Sequence, residues 1–80
     1  MIHALYFAQV RELLGRGGED LQIPEGTTLK ELFTSLAKRE PRIQDFANSL
    51  VYFLNEVRVG GDEMLHEGDT IALCPPVSGG

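Results

Sequence analysis

The sequence predicts a two-layer α+β domain, a mixed sheet packed on one main helix. Three observations lead there. Eighty residues suffice for one domain with a single core. The hydrophobic periodicities run strand, strand, helix, strands along the chain. The helical stretch carries one apolar stripe, which must be buried against another layer.

Ile2 to Phe7 is rich in strand formers and reads as a first strand, buried in part on both faces. Val10, Leu13 and Leu14 then fall at helical spacing, so Ala8 to Leu14 forms a short helical turn. Gly15-Arg16-Gly17-Gly18 breaks it. Asp20 to Ile23 alternates polar and apolar residues as a second strand, and Pro24-Glu25-Gly26 turns the chain. Thr28-Leu29-Lys30-Glu31 is a capping box. It opens the main helix, whose stripe is Leu29, Leu32, Phe33, Leu36 and Ala37. Pro41 stops that helix by excluding the α region at residue 40. Ile43, Phe46, Ala47 and Leu50 suggest a second, shorter helical piece. Val51 to Asn55, Val57 to Val59 and Thr70 to Cys74 complete the strands. Turns fall at Asn55-Glu56, Gly60-Gly61-Asp62 and His66-Glu67-Gly68-Asp69. The first two strands can pair through their long, partly helical connection.

The chain closes on Pro75-Pro76-Val77-Ser78-Gly79-Gly80. The prolines stiffen the exit from the last strand, and the glycines leave no Cβ around the terminal carboxylate. We expect a domain over 1–76 and a slender, flexible tail over 77–80. At about 3.3 Å per residue the tail reaches roughly 13 Å, enough to enter a partner's active site.

Twelve acids against seven bases give a net charge of −5. Nucleic-acid binding needs a basic face. The one basic cluster, Lys38-Arg39 and Arg42, is interrupted by Glu40. The negative balance keeps a small protein soluble or steers it to a basic partner. No apolar run approaches a membrane span and no leader precedes the domain, so a cytoplasmic protein is expected. A single cysteine, Cys74, excludes an internal disulfide and a cysteine-ligated metal site within one chain. Cys74 has no neighbour in sequence that lowers its pKa, and it reads as a small hydrophobe. His3 and His66 show no ligand or triad spacing. Gly15 to Gly18 lacks the Gly-Lys-Ser/Thr ending of a phosphate loop. No carboxylate pair has a spacing suited to acid–base work. The chemistry is therefore expected from partners, with no metal and no cofactor bound by this chain.

Three stretches resemble the small subunits of molybdopterin synthase, the MoaD group of MoaD/ThiS-type sulfur carriers. They are Leu5 to Gly15, the step Leu54-Asn55, and Leu65 to Gly80 with its Pro-Pro-Val-Ser-Gly-Gly ending. Cys74 departs from the bulkier apolar residue usual there. The resemblance implies the β-grasp, ubiquitin-like topology. It implies that an ATP-dependent, MoeB-like activating enzyme adenylates Gly80 and that a sulfur donor converts the adenylate to a thiocarboxylate. The tail, kept slim by Gly79, then enters the large synthase subunit and gives sulfur to cyclic pyranopterin monophosphate, forming molybdopterin. It further implies a heterotetramer of two small and two large subunits, with neither nucleic acid nor membrane as partner. Phe7, Arg11, Cys74, Pro75, Pro76, Val77 and Ser78 are the candidate partner-binding residues, a core role being the competing reading for Phe7. Two other functions use the same ending: thiamine-type sulfur delivery, and a ubiquitin-like modifier joined to lysines through Gly80. An inert interaction module is a third.

Overall fold

The hydrogen-bond register of the central strands organises the molecule. A computed structural model describes residues 1–76. The expected tail over 77–80, and with it Val77, Ser78, Gly79 and Gly80 as site residues, lies outside the described residues. Strand β1 (Ile2–Tyr6) pairs antiparallel with β2 (Gly18–Leu21) and parallel with β5 (Thr70–Cys74). β5 also pairs antiparallel with β3 (Val51–Leu54), and β3 with β4 (Val57–Val59). The result is one mixed five-stranded sheet in the order β2-β1-β5-β3-β4. Helix α1 (Ala8–Leu14) links β1 to β2, and α2 (Leu29–Arg39) covers one face of the sheet. A 3₁₀ turn, Pro41–Phe46, follows α2.

α2 starts where its capping box closes. The Thr28 side chain accepts from Glu31 N–H at 3.2 Å, and the Glu31 carboxylate accepts from Thr28 N–H at 2.9 Å. Leu29, Leu32, Phe33 and Leu36 of its stripe are buried against Ile2, Ala4 and Tyr6 of β1 and Ile71 and Leu73 of β5. Ala37 packs at the margin. Full burial of each large side chain contributes about 1.5–3 kcal/mol, so these positions outweigh any single surface contact.

Three local expectations are corrected. β1 is not buried on both faces: Ile2, Ala4 and Tyr6 point inward while His3 and Leu5 are exposed. The strand ends at Tyr6, and Phe7 is the N-cap residue of α1. β2 occupies Gly18–Leu21, two residues before the alternation that suggested it, because pairing Ile2 with Leu21 and Leu5 with Gly18 satisfies the β1 edge. Asn55 is likewise outside β3: it forms the hairpin turn with Glu56, at φ 49° and 73°. Such values suit the two-residue turn that a right-twisted hairpin needs.

The Leu54-Asn55 step has a structural explanation. Asn55 Oδ1 accepts from Thr70 N–H at 3.0 Å, and its Nδ2 donates to Asp69 at 3.1 Å. Asp69 in turn accepts from His66 N–H at 2.8 Å. One side chain thus ties the β3–β4 turn to the turn before β5.

Candidate functional site

Among the described residues, none forms a layer over the face of the sheet opposite α2. The register places Gly18, Leu5, Ala72, Phe53 and Arg58 in one row across five strands. Side chains of one such row share a face, and Leu5 on this face is 39% exposed. Toward the end of β5 the next positions are Phe7, 46% exposed, and Cys74, which pairs with Val51. Leu5, Phe7, Phe53, Ala72 and Cys74 line a shallow groove of about 360 Å³, with Glu56 at its rim. His3 and Asp20, paired across β1 and β2, bond to each other through Nδ1 and Oδ1 beyond the apolar area.

The root of the tail borders this groove. The N–H of Phe7 donates to Leu73 O at 3.3 Å, extending the β1–β5 ladder by one residue. Pro75 is buried and Pro76 exposed. Burial pushes the Cys74 thiol pKa up. The thiol therefore stays protonated at neutral pH and fills space, as its sequence setting implied. His66 stands 3.4 Å from Glu25, away from the groove, and no cluster of possible metal ligands occurs among the described residues. Nor is any helix among them long and apolar enough to cross a membrane.

Of the candidate partner residues, Phe7, Cys74 and Pro75 come together at one corner. Arg11 does not join them. Its guanidinium lies against Gly17, in an open cleft with Ala8 and Arg16. Leu5 and Phe53 were missed as surface residues because strand propensity cannot tell the inner face from the outer. Parity was the available signal: polar His3 shares its alternation with Leu5 and Phe7.

A mixed sheet that grasps one helix and carries its last strand at the centre defines a β-grasp domain, the ubiquitin-like class. Within that class the chain belongs to the ThiS family, whose model matches residues 4–80. It is 34% identical to the molybdopterin synthase sulfur carrier subunit of Escherichia coli, over all of both chains. The Chlamydomonas reinhardtii subunit of that name is 32% identical over 99% of this chain and 98% of the relative. Among solved structures, a putative molybdopterin converting factor subunit 1 from Pyrococcus furiosus superposes with TM-score 0.81 at 28% identity. That match covers 95% of this chain and 97% of the other.

Proposed function

We propose that this chain is the sulfur carrier subunit of a molybdopterin synthase and that Gly80 carries the sulfur. One observation bears most weight: the match to a sulfur carrier subunit runs from end to end of both chains, through the Gly-Gly ending. The uncovered apolar groove at the root of the tail supports it, since a carrier must dock its body before its terminus reacts.

The chemistry follows from the terminus. A carboxylate is a poor acyl donor. Attack of the Gly80 carboxylate on the α-phosphate of ATP, in an activating partner, releases pyrophosphate and leaves an acyl adenylate. The outer sulfur of a donor persulfide displaces AMP and leaves an acyl disulfide to the donor. A second thiol then attacks the donor sulfur, forms a disulfide with it and releases the thiocarboxylate. Inside the large subunit, exclusion of bulk water protects it from premature hydrolysis. There this soft nucleophile bonds through sulfur to a carbon of the pterin precursor and displaces an oxygen substituent. Hydrolysis of the resulting acyl thioester then leaves the sulfur on the pterin and returns the Gly80 carboxylate. Glycine at 79 and 80 leaves room on every side of the reacting carbon. This chain supplies the terminus and the docking surface; catalytic groups come from the partners.

Incubation with the activating enzyme, ATP and a sulfur donor tests the reading. Intact-mass spectrometry should show one oxygen replaced by sulfur, and the product should convert cyclic pyranopterin monophosphate when mixed with the large subunit. No mass change defeats every carrier reading. A thiocarboxylate that serves only a thiazole-forming enzyme favours thiamine-type delivery, and Gly80 remnants on lysines favour a modifier.

A further inference from the structure

We propose that Ala8 is a positioning residue: its left-handed backbone holds Phe7 on the outer face of the sheet, where the partner docks. The proposal rests on the carrier reading above. Ala8 has φ 50°. The other non-glycine residues with positive φ among those described, Asn55 and Glu56, make the β3–β4 turn, which requires such values. Ala8 lies in no hairpin. An L-residue in this region is strained, and strain of this kind persists only where neighbouring structure imposes it, often at functional sites.

The constraint can be traced on both sides of Ala8. Phe7 is extended, at φ −126° and ψ 153°, and so continues the alternation of β1 with its ring on the side of Leu5. Val10, in the first turn of α1, is completely buried in the core on the opposite side. The chain has to reverse between them within two residues, Ala8 and Gln9, and of the two only Ala8 takes a positive φ. Phe7 is also pinned through its backbone: its N–H donates to Leu73 O, and its C=O accepts from Val10 N–H at 3.1 Å and Arg11 N–H at 3.3 Å. With strand and helix both fixed, Ala8 absorbs the turn. If residue 8 relaxes, one neighbour must move. Val10 is locked among core side chains, whereas Phe7 is 46% exposed and borders the groove. Phe7 is held by three backbone hydrogen bonds against the full core packing of Val10, so it yields first, and the groove loses its aromatic wall beside Cys74.

Titration calorimetry of the full chain against the large synthase subunit, with thermal melts of each variant, tests this. Phe7→Ala should weaken binding by about tenfold, the loss of an interface aromatic. Ala8→Val, a β-branched residue that positive φ excludes, should weaken it to a similar degree while circular dichroism retains α1. Ala8→Gly should bind within about twofold of the parent, because glycine accepts this φ. The Phe7→Ala/Ala8→Val double variant decides the matter: it should bind no more weakly than Phe7→Ala alone. Additive losses, or an Ala8→Val chain that binds like the parent, overturn the proposal. Should Ala8→Val fail to fold, D-alanine placed at position 8 by chemical ligation is the second arm. It favours positive φ and should bind like the parent with a raised melting temperature; weaker binding overturns the proposal. A parent chain with no affinity for the large subunit counts instead against the carrier reading, and the docking role of Phe7 falls with it.

Discussion

Glu19 is the residue on which three elements converge. It lies in β2, accepts from the Tyr6 hydroxyl of β1 at 2.7 Å, and takes hydrogen bonds from Arg39 of α2 and from Arg16. Its side chain is only 11% exposed. Burial alone would raise its pKa, but the Arg39 and Tyr6 hydrogen bonds and the Arg16 charge hold it below its ordinary 4.5. Burial, with the Glu19 carboxylate, pushes the Tyr6 phenol pKa up, so the hydroxyl remains a donor. A depressed carboxylate stabilises the fold above its unfolded pKa, and that contribution is lost as pH falls through the folded value. Glu19→Gln should therefore cost about 1–3 kcal/mol at neutral pH. The gap from the parent should close as pH falls below 4.5. Urea titrations across that range measure both. Gly18 makes a second prediction at this scale. A Cβ there would sit 2.7 Å from Ala4 O and 3.2 Å from the Leu5 side chain. The first contact is with backbone in the middle of the β1–β2 ladder and has nowhere to go. Gly18→Ala should cost about 1–3 kcal/mol, as overpacking does, seen as a lowered urea midpoint.

The elements owe their ends to different causes. α1 closes at Gly15, whose φ of 76° lets its N–H reach back to Arg11 O at 2.9 Å, the glycine stop of a helix. The β3–β4 hairpin lacks that convenience, because Glu56 holds φ 73° with a side chain attached. Asn55 is kept for its bonds to Thr70 and Asp69, but nothing comparable among the described residues holds Glu56. Glu56→Gly completes the Asn-Gly pair that this turn favours. It should raise stability by up to about 1 kcal/mol, the relief of left-handed strain less the entropy of a freer unfolded chain. A higher melting temperature with an unchanged denaturant slope is the expected result.

At the scale of the whole molecule, charge and apolar surface are distributed unevenly. Glu25, Asp62, Glu63, Glu67 and Asp69 lie in loops beside the start of β1 and β5, where Gly68 N–H donates to Met1 O and the α2 N-terminus is bonded to Gly61 and Glu63. Residues Cys74 to Pro76 lie at the other end of those strands. The acidic loops therefore lie at the opposite end of β1 and β5 from Cys74 and Pro75. On the proposed function, docking would use the outer face, which carries little of the core. Phe53→Ser should leave the melting temperature within a few degrees and weaken binding to the large subunit by about tenfold. A collapse of stability would instead make the outer face structural.

Much of this was legible before any coordinates. The α2 stripe, its capping box, the Pro41 stop and the turns at Asn55-Glu56 and Gly68-Asp69 are local, and local steric and hydrogen-bonding rules suffice to place them. The β2 boundary was not legible, because Gly18 has no strand propensity and enters the sheet only by pairing with Leu5. Leu5 and Phe53 look like core residues until the register shows their side. The site divides in the same way. By sequence alone this chain was determined to be a small α+β domain carrying Gly79-Gly80 after Pro-Pro-Val-Ser, because periodicity and missing side chains are properties of neighbours along the chain. Only the tertiary structure decided that Leu5, Phe7, Phe53 and Cys74 share one open groove and that Arg11 lies outside it. Strand pairing joins residues dozens of positions apart, and the face on which a side chain emerges is fixed by the partner strand's register.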